Sequence, residues 1–199
     1  MYPFNLEWQQ QNLDGKIVVA LERISEAFRV LLWEQSKSMG LSPIQIQIMI
    51  FCGNHHARYR TISYLAHEFN MTKATISDSV KVLAEKQLLV KEKDKLDGRR
   101  YVINVTEVGQ SIIKQTLGFS DKILATVAML SPLEKTNTFT SLMGIIYRLQ
   151  KDGVLEVQRM CPSCRFYERR LSGPYCAHLQ KDLNDKELRI DCPDYKKNI

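Results

Sequence analysis

Four of the five cysteines of this 199-residue chain fall between residues 161 and 192, and their spacing reads C-x2-C-x11-C-x15-C. The two-residue gap between Cys161 and Cys164 lets a pair of thiolates grip one metal ion, and Cys176 and Cys192 complete a four-ligand set. Soft sulfur ligands suit three chemistries. The first expectation is one structural zinc ion per chain; the alternatives are an iron–sulfur cluster and metal-free thiols that cycle between dithiol and disulfide at Cys161 and Cys164. His178 reads as an exposed polar or core residue, with replacement of one cysteine ligand as the alternative. Phe166, Tyr167, Tyr175, Leu171, Leu179, Leu183, Leu188 and Ile190 are available for a miniature core, which would be marginal alone and which a metal would stabilise. Arg165, Arg169 and Arg170 read as solvated groups or as screens for thiolate charge.

A second constellation is basic. Lys91, Lys93, Lys95, Arg99 and Arg100 flank the turn-forming pair Asp97-Gly98, between the apolar stretch 88–90 and the alternating segment 101–105. This is the pattern of a hairpin with a long charged tip, in which Asp97 and Gly98 stabilise the turn and Lys93, Lys95, Arg99 and Arg100 face a polyanion. Just upstream, Ile76, Val80 and Leu83 form a helical stripe that leaves Thr72, Lys73, Thr75, Ser77, Asp78 and Lys81 on the opposite or flanking surfaces. Short polar groups on the N-terminal half of a helix are what a DNA major groove admits: Thr75 and Ser77 reach base edges or phosphates, and Lys73 and Lys81 suit phosphates. Asp78 accepts from a cytosine amine or orients a neighbouring cation.

The elements that must position these groups are mostly helical. Ile17, Leu21, Ile24, Phe28, Leu31 and Leu32 predict one long amphipathic helix ending before Gly40. Ser42-Pro43 opens a second helix in which Ile44, Ile48 and Phe51 face a core and Cys52 is a plain core cysteine. Thr61 caps a third helix, Asn70-Met71 turns the chain, and Thr72 caps the fourth, which makes a helix-turn-helix. Thr106 caps a helix interrupted near Gly118, and Ser131-Pro132 starts the last one, striped by Leu133, Phe139, Leu142, Ile146 and Leu149. So much apolar helix outside a compact unit requires a second surface, and a two-fold homodimer is the expected cover.

Composition limits the alternatives. The net charge of +6 permits a polyanionic partner without requiring one; residues 58–100 hold ten Lys or Arg against six Asp or Glu, so the excess sits beside the candidate groove reader. No apolar run approaches the length of a membrane span, and MYPFNLEWQQQNLDG lacks the pattern of a secretory signal, so a cytoplasmic location is expected. His55, His56, His67 and His178 form no metal-ligand motif, and neither a phosphate-binding glycine loop nor a Ser-His-Asp order is legible, so no enzyme is expected.

Ser42-Pro43-Ile44-Gln45, Leu65-Ala66, the run 72–77, residues 83–90, Asp97-Gly98-Arg99-Arg100 and the helix start 106–109 together resemble MarR-type regulators, over about residues 15–150. The resemblance implies a two-fold dimer, one recognition helix per half of a pseudo-palindromic operator in double-stranded DNA, a wing pair of Asp97 and Arg99, and often a repressor relieved by a ligand or oxidant. Two features depart from it: Gln87 stands where a glycine is usual before the wing, and residues 154–199 have no counterpart. The expected fold is therefore mainly α, an α+β winged helix-turn-helix, divided into an N-terminal dimerisation helix (1–41), the winged domain (42–106), C-terminal dimerisation helices (107–153) and a cysteine-rich metal-binding or redox tail (154–199). The expected function is transcription regulation modulated by a ligand, metal or redox state, with a small-molecule effector among the partners; an interaction module built on the winged domain and a zinc-stabilised tail is the alternative.

Overall fold

A computed structural model describes residues 2–94, 98–156 and 159–198. The chain is mainly helical with two small sheets. Asn5 caps α1 (Leu6–Gln11), a helix the sequence pattern does not predict, and Asn12 caps α2 (Leu13–Met39) by accepting from the Gly15 N–H. Trp8 of α1 lies so close over Gly15 that no side chain fits there. Gly40 ends α2 in the left-handed conformation, at φ 61°.

Ser42 and Gln45 form a reciprocal capping box at the start of α3 (Pro43–Asn54), with Pro43 in the first turn. Ile46, Ile48 and Met49 are completely buried, as is Cys52 at 1% exposure, so α3 is covered on more sides than its expected stripe of Ile44, Ile48 and Phe51 allowed for. It is the central helix, contacted by α2, by α5 (Lys73–Glu85) and by α6 (Glu107–Thr116). Burial in this core pushes the Cys52 thiol up to about 12, the value of an inert packing residue.

Thr61 caps α4 (Ile62–Glu68), Asn70 turns the chain at φ 51°, and Thr72 caps α5, whose Ile76, Val80 and Leu83 are fully buried against α3 and α4. After α5, Gln87 adopts φ 57°, so the turn that usually has glycine is made in the same left-handed region by a residue with a side chain. β1 (Leu89–Lys93) then pairs antiparallel with β2 (Tyr101–Val105), Leu89 opposite Val105 and Lys93 opposite Tyr101. The strand thus runs into the charged stretch that the sequence assigns to the tip. Adjacent Val102 and Ile103 are both buried, contrary to the expected alternation, because the hairpin is covered on both faces at that level. Ile103 N–H also donates to the Arg60 carbonyl at 2.8 Å, tying the hairpin to the loop before α4.

Gly109 brings α6 against the hairpin base: a Cβ there would collide with the Leu88 carbonyl. The interruption expected near Gly118 is a 3-10 turn, Leu117–Ser120, followed by α7 (Asp121–Ala128) and by α8 (Pro132–Lys151), which begins with a second capping box from Ser131 and Glu134. The tail carries a small antiparallel sheet in the order β3 (Tyr167–Arg170), β4 (Gly173–Cys176), β5 (Lys181–Asp182). Its core is smaller than expected. Leu183 and Met160 are buried, whereas Leu171 and Ile190 are exposed, because so small a sheet of short strands has no second layer to cover them. Among the described residues, no helix is long and apolar enough to cross a membrane.

Candidate nucleic-acid interface and cysteine cavity

The helix α5 presents one polar face outward. Thr72, Lys73, Thr75, Asp78 and Lys81 are exposed, Ser77 is half-buried, and the opposite face is sealed by Ile76, Ser79, Val80 and Leu83. Thr72 is engaged in capping, since its hydroxyl oxygen accepts the Thr75 N–H at 3.1 Å and lies 2.9 Å from the Thr75 hydroxyl. No acidic residue occupies the first turn, so the positive end of the helix dipole is unopposed there and Lys73 adds to it. The hairpin stands beside this face, with Lys93, Gly98, Arg99 and Arg100 exposed, and the Asp94 N–H donates to the Arg100 carbonyl at 2.9 Å to close its neck. Lys95 and Asp97 lie outside the described residues.

The tail gathers its cysteines. Cys161 and Cys164 sit on a 3-10 turn closed by a 2.9 Å bond from the Cys164 N–H to the Cys161 carbonyl, Cys176 ends β4, and Cys192 comes from the final loop. All four line one cavity, together with Leu179, Leu183 and His178. All five cysteines of the chain are free thiols. The Arg189 N–H donates to Cys161 Sγ at 3.2 Å and the Arg189 guanidinium to Cys192 Sγ at 3.5 Å, contacts that stabilise negative charge on sulfur. His178 stacks on Phe166 and is half-exposed. Of the tail arginines, Arg170 is paired with Glu168 and lies over the Tyr175 ring, and Arg165 is exposed beside Phe166.

One centre escaped sequence reasoning. Arg159 is 4% exposed and joins the tail to the helix-turn-helix. Its guanidinium donates to Glu68 at 2.5 and 3.1 Å, to Asp191 at 2.6 and 3.0 Å and to the Tyr64 hydroxyl at 2.8 Å, within rings contributed by Phe51, Tyr59 and Tyr64. His55 completes the group: it stacks on Phe51 at 3.8 Å, and its ring nitrogens contact the Phe51 carbonyl at 2.9 Å and Asp191 at 2.7 Å. Burial by itself would raise the Asp191 carboxyl, but the hydrogen bonds from His55 and Arg159 hold it well below the usual carboxylate range. Burial pushes the Tyr64 hydroxyl up to about 12, against the opposing pull of Arg159. Arg58 donates to the Pro193 carbonyl at 2.7 Å, and the Cys192 N–H to the Arg159 carbonyl at 2.9 Å. The tail that carries the cysteine cavity is therefore joined to the helix-turn-helix along one seam. No local signal marks Arg159, since its partners lie about 90 residues upstream and 32 downstream.

Residues 39–100 match the sequence profile described as the MarR family, a span that takes in α3, α4, α5 and the start of the hairpin. Over that span the chain is similar to the MarR family. Solved structures place the same fold around it. The S. aureus MepR–DNA complex is 20% identical over 66% of this chain and 97% of MepR, with a TM-score of 0.58. The transcriptional regulator BldR from Sulfolobus solfataricus is 19% identical over 69% of this chain and 99% of BldR, with a TM-score of 0.53. At such identities the likeness is one of fold, and it spans nearly all of those chains while about a third of this one has no counterpart in them. Comparison with curated protein sequences gives no match.

Proposed function

We propose that the chain is a sequence-specific DNA-binding transcription regulator that works as a homodimer, represses from a pseudo-palindromic operator, and is modulated through metal or thiol chemistry in its tail. The observation that carries the reading is the exposed polar face of α5 beside a hairpin bearing Lys93, Arg99 and Arg100, in the span similar to the MarR family. One helix of this width enters a major groove, and the hairpin then meets the flanking backbone or minor groove. In that pose Thr75 and Ser77 read base edges, Lys73 and Lys81 hold phosphates, and Asp78 accepts from a cytosine amine or orients Lys81. MepR was solved as a DNA complex, and it shares this fold.

The dimer is supported by uncovered apolar surface. Helix α7 buries none of its residues and α8 only Met143, while Ile17, Ile24 and Phe28 of α2 and Leu124, Val127 and Leu133 beyond it are 40–70% exposed. A second copy is the natural cover, because a two-fold axis brings the same helices together from both chains. It would also set two α5 helices one duplex turn apart.

Binding of duplex DNA as a function of salt tests the interface. Removing one phosphate contact should lower the slope of log K against log salt by about one unit, so Arg99→Ala and Arg100→Ala should each flatten it if both touch phosphate. An unchanged slope in both variants removes the hairpin from the interface. The absence of preference for any duplex over random sequence would favour the interaction-module alternative.

A further inference from the structure

We propose that the helix-turn-helix unit positions Cys192 for the four thiols of the tail, so that occupancy of those thiols by a soft metal ion and docking of the tail on α4 and the loop before it strengthen one another. This rests on the metal reading of the tail given above and deepens it; it does not rest on DNA binding.

One loop serves both sites. Cys192 lines the cavity with Cys161, Cys164 and Cys176, while the residues on either side of it are gripped from the other direction. His55 Nε2 meets the Asp191 carboxylate at 2.7 Å, and Arg58 donates to the Pro193 carbonyl at 2.7 Å. The Tyr59 hydroxyl donates to the Tyr195 carbonyl at 3.4 Å. His55, Arg58 and Tyr59 all belong to the stretch that joins α3 to α4, so residues of the helix-turn-helix unit aim the fourth thiol. Cys161 is tied into the same seam. Its N–H donates to the Arg189 carbonyl and the Cys192 N–H to the Arg159 carbonyl, each at 2.9 Å, which zips the segment carrying Arg159 and Cys161 to the one carrying Arg189 and Cys192. Across that zip Arg189 reaches Cys161 Sγ and Cys192 Sγ on the cavity side, and Arg159 reaches Glu68 and Tyr64 on the α4 side.

The four thiols depend on this grip unequally. Cys161 and Cys164 share a 3-10 turn closed by its own hydrogen bond, and Cys176 is held in a strand. Cys192 lies in a stretch, 183–196, with neither helix nor strand, so its place depends on what holds the loop. A ligand held in place before the metal arrives loses less freedom when it binds, and contacts one step out from the ligands change metal affinity by about 10- to 100-fold. The reverse follows from the same geometry. A metal that fixes Cys192 also fixes its neighbours, and so presents the Asp191 carboxylate to His55 and the Pro193 carbonyl to Arg58. The two states are a docked and a released tail, and what docking gives to metal binding, metal binding returns to docking.

The test is the zinc affinity of the full chain, stripped of metal and kept reduced, in competition with a chromophoric chelator. The wild-type chain should take up zinc and Cys192→Ser should bind it more weakly, which locates the ion at the thiols. Arg58→Ala and His55→Phe alter residues that do not line the cavity, and the phenylalanine keeps the stack on Phe51; each should lower zinc affinity by about 10-fold. Arg58→Lys, which retains a donor for the Pro193 carbonyl, should restore most of the loss. Arg23→Ala on α2 should bind zinc as the wild type does. Zinc loading should also slow amide hydrogen exchange in α4 of the wild-type chain, and do so less in Arg58→Ala. Wild-type zinc affinity in both seam variants overturns the proposal and leaves the metal reading standing, whereas a wild-type chain that takes up no zinc overturns both. If one seam variant fails to fold by circular dichroism, the other carries the comparison. DNA enters none of these measurements, so loss of duplex binding alone would count only against the regulator reading.

Discussion

Replacing Arg159 by methionine tests whether the seam between tail and helix-turn-helix is one physical unit. The substitution keeps much of the apolar contact with Phe51, Tyr59 and Tyr64 but removes every donor to Glu68 and Asp191. The two carboxylates differ in how much they suffer. The Glu68 side chain is 16% exposed beside a guanidinium that is itself buried, so stranding it falls in the class of broken buried pairs, about 3–5 kcal/mol. The Asp191 side chain is 42% exposed and keeps His55, so water screens the effect there to about 1 kcal/mol or less. Arg159→Met should therefore weaken the docked state by about 3 kcal/mol, mostly through Glu68. Pairing it with Glu68→Gln removes the stranded charge and should bring the cost down to about 1 kcal/mol. Urea denaturation gives the global effect, and hydrogen exchange at the Cys192 N–H, which donates to the Arg159 carbonyl, reports the seam itself. A single variant within about 0.5 kcal/mol of wild type, or two substitutions whose costs simply add, would refute the reasoning.

The Asp191 carboxyl is held low in the folded chain, so its contribution is present above the ordinary carboxylate range and disappears as pH falls through the depressed value. Proteolysis of the tail should accordingly stay slow at pH about 4 and accelerate only below it, and Asp191→Asn should remove that acid step; loosening already at pH about 6 would contradict the assignment. Gln87→Gly should stabilise the fold by about 0.5–1 kcal/mol in thermal or urea unfolding, since φ 57° strains any residue with a Cβ; a destabilised variant would show that the glutamine side chain has an unrecognised partner. Leu124→Glu with Val127→Glu, placed on a helix that buries nothing within its own chain, should yield a folded monomer by light scattering, and a dimer of unchanged mass would move the interface elsewhere.

The helix-turn-helix was legible because its determinants are local. Thr61, Thr72 and Thr106 each cap the helix they precede, Ser42-Pro43 and Ser131-Pro132 open theirs with capping boxes, and the stripe Ile76, Val80, Leu83 faces inward as its spacing requires. Caps and stripes act over three or four residues, the range that a linear pattern expresses. The polar face of α5 and the basic hairpin follow from the same periodicities, read from the outside. Cysteine spacing likewise nominated a ligand set, because a two-residue gap has a metal-binding meaning of its own.

What the chain alone left open depends on which distant segments meet. The wrapping of α3 on several sides, the shared burial of Val102 and Ile103, and the exposure of Leu171 and Ile190 are set by neighbours that periodicity does not name. That all four thiols of the tail line one cavity is a tertiary fact too, since Cys176 and Cys192 reach it from separate segments. Arg159 is the clearest case: an ordinary arginine by sequence, it becomes the junction of tail and helix-turn-helix once folding brings Glu68 and Asp191 to its two sides. A charge is tolerated in the interior only where opposite charges converge, and that convergence is made in three dimensions.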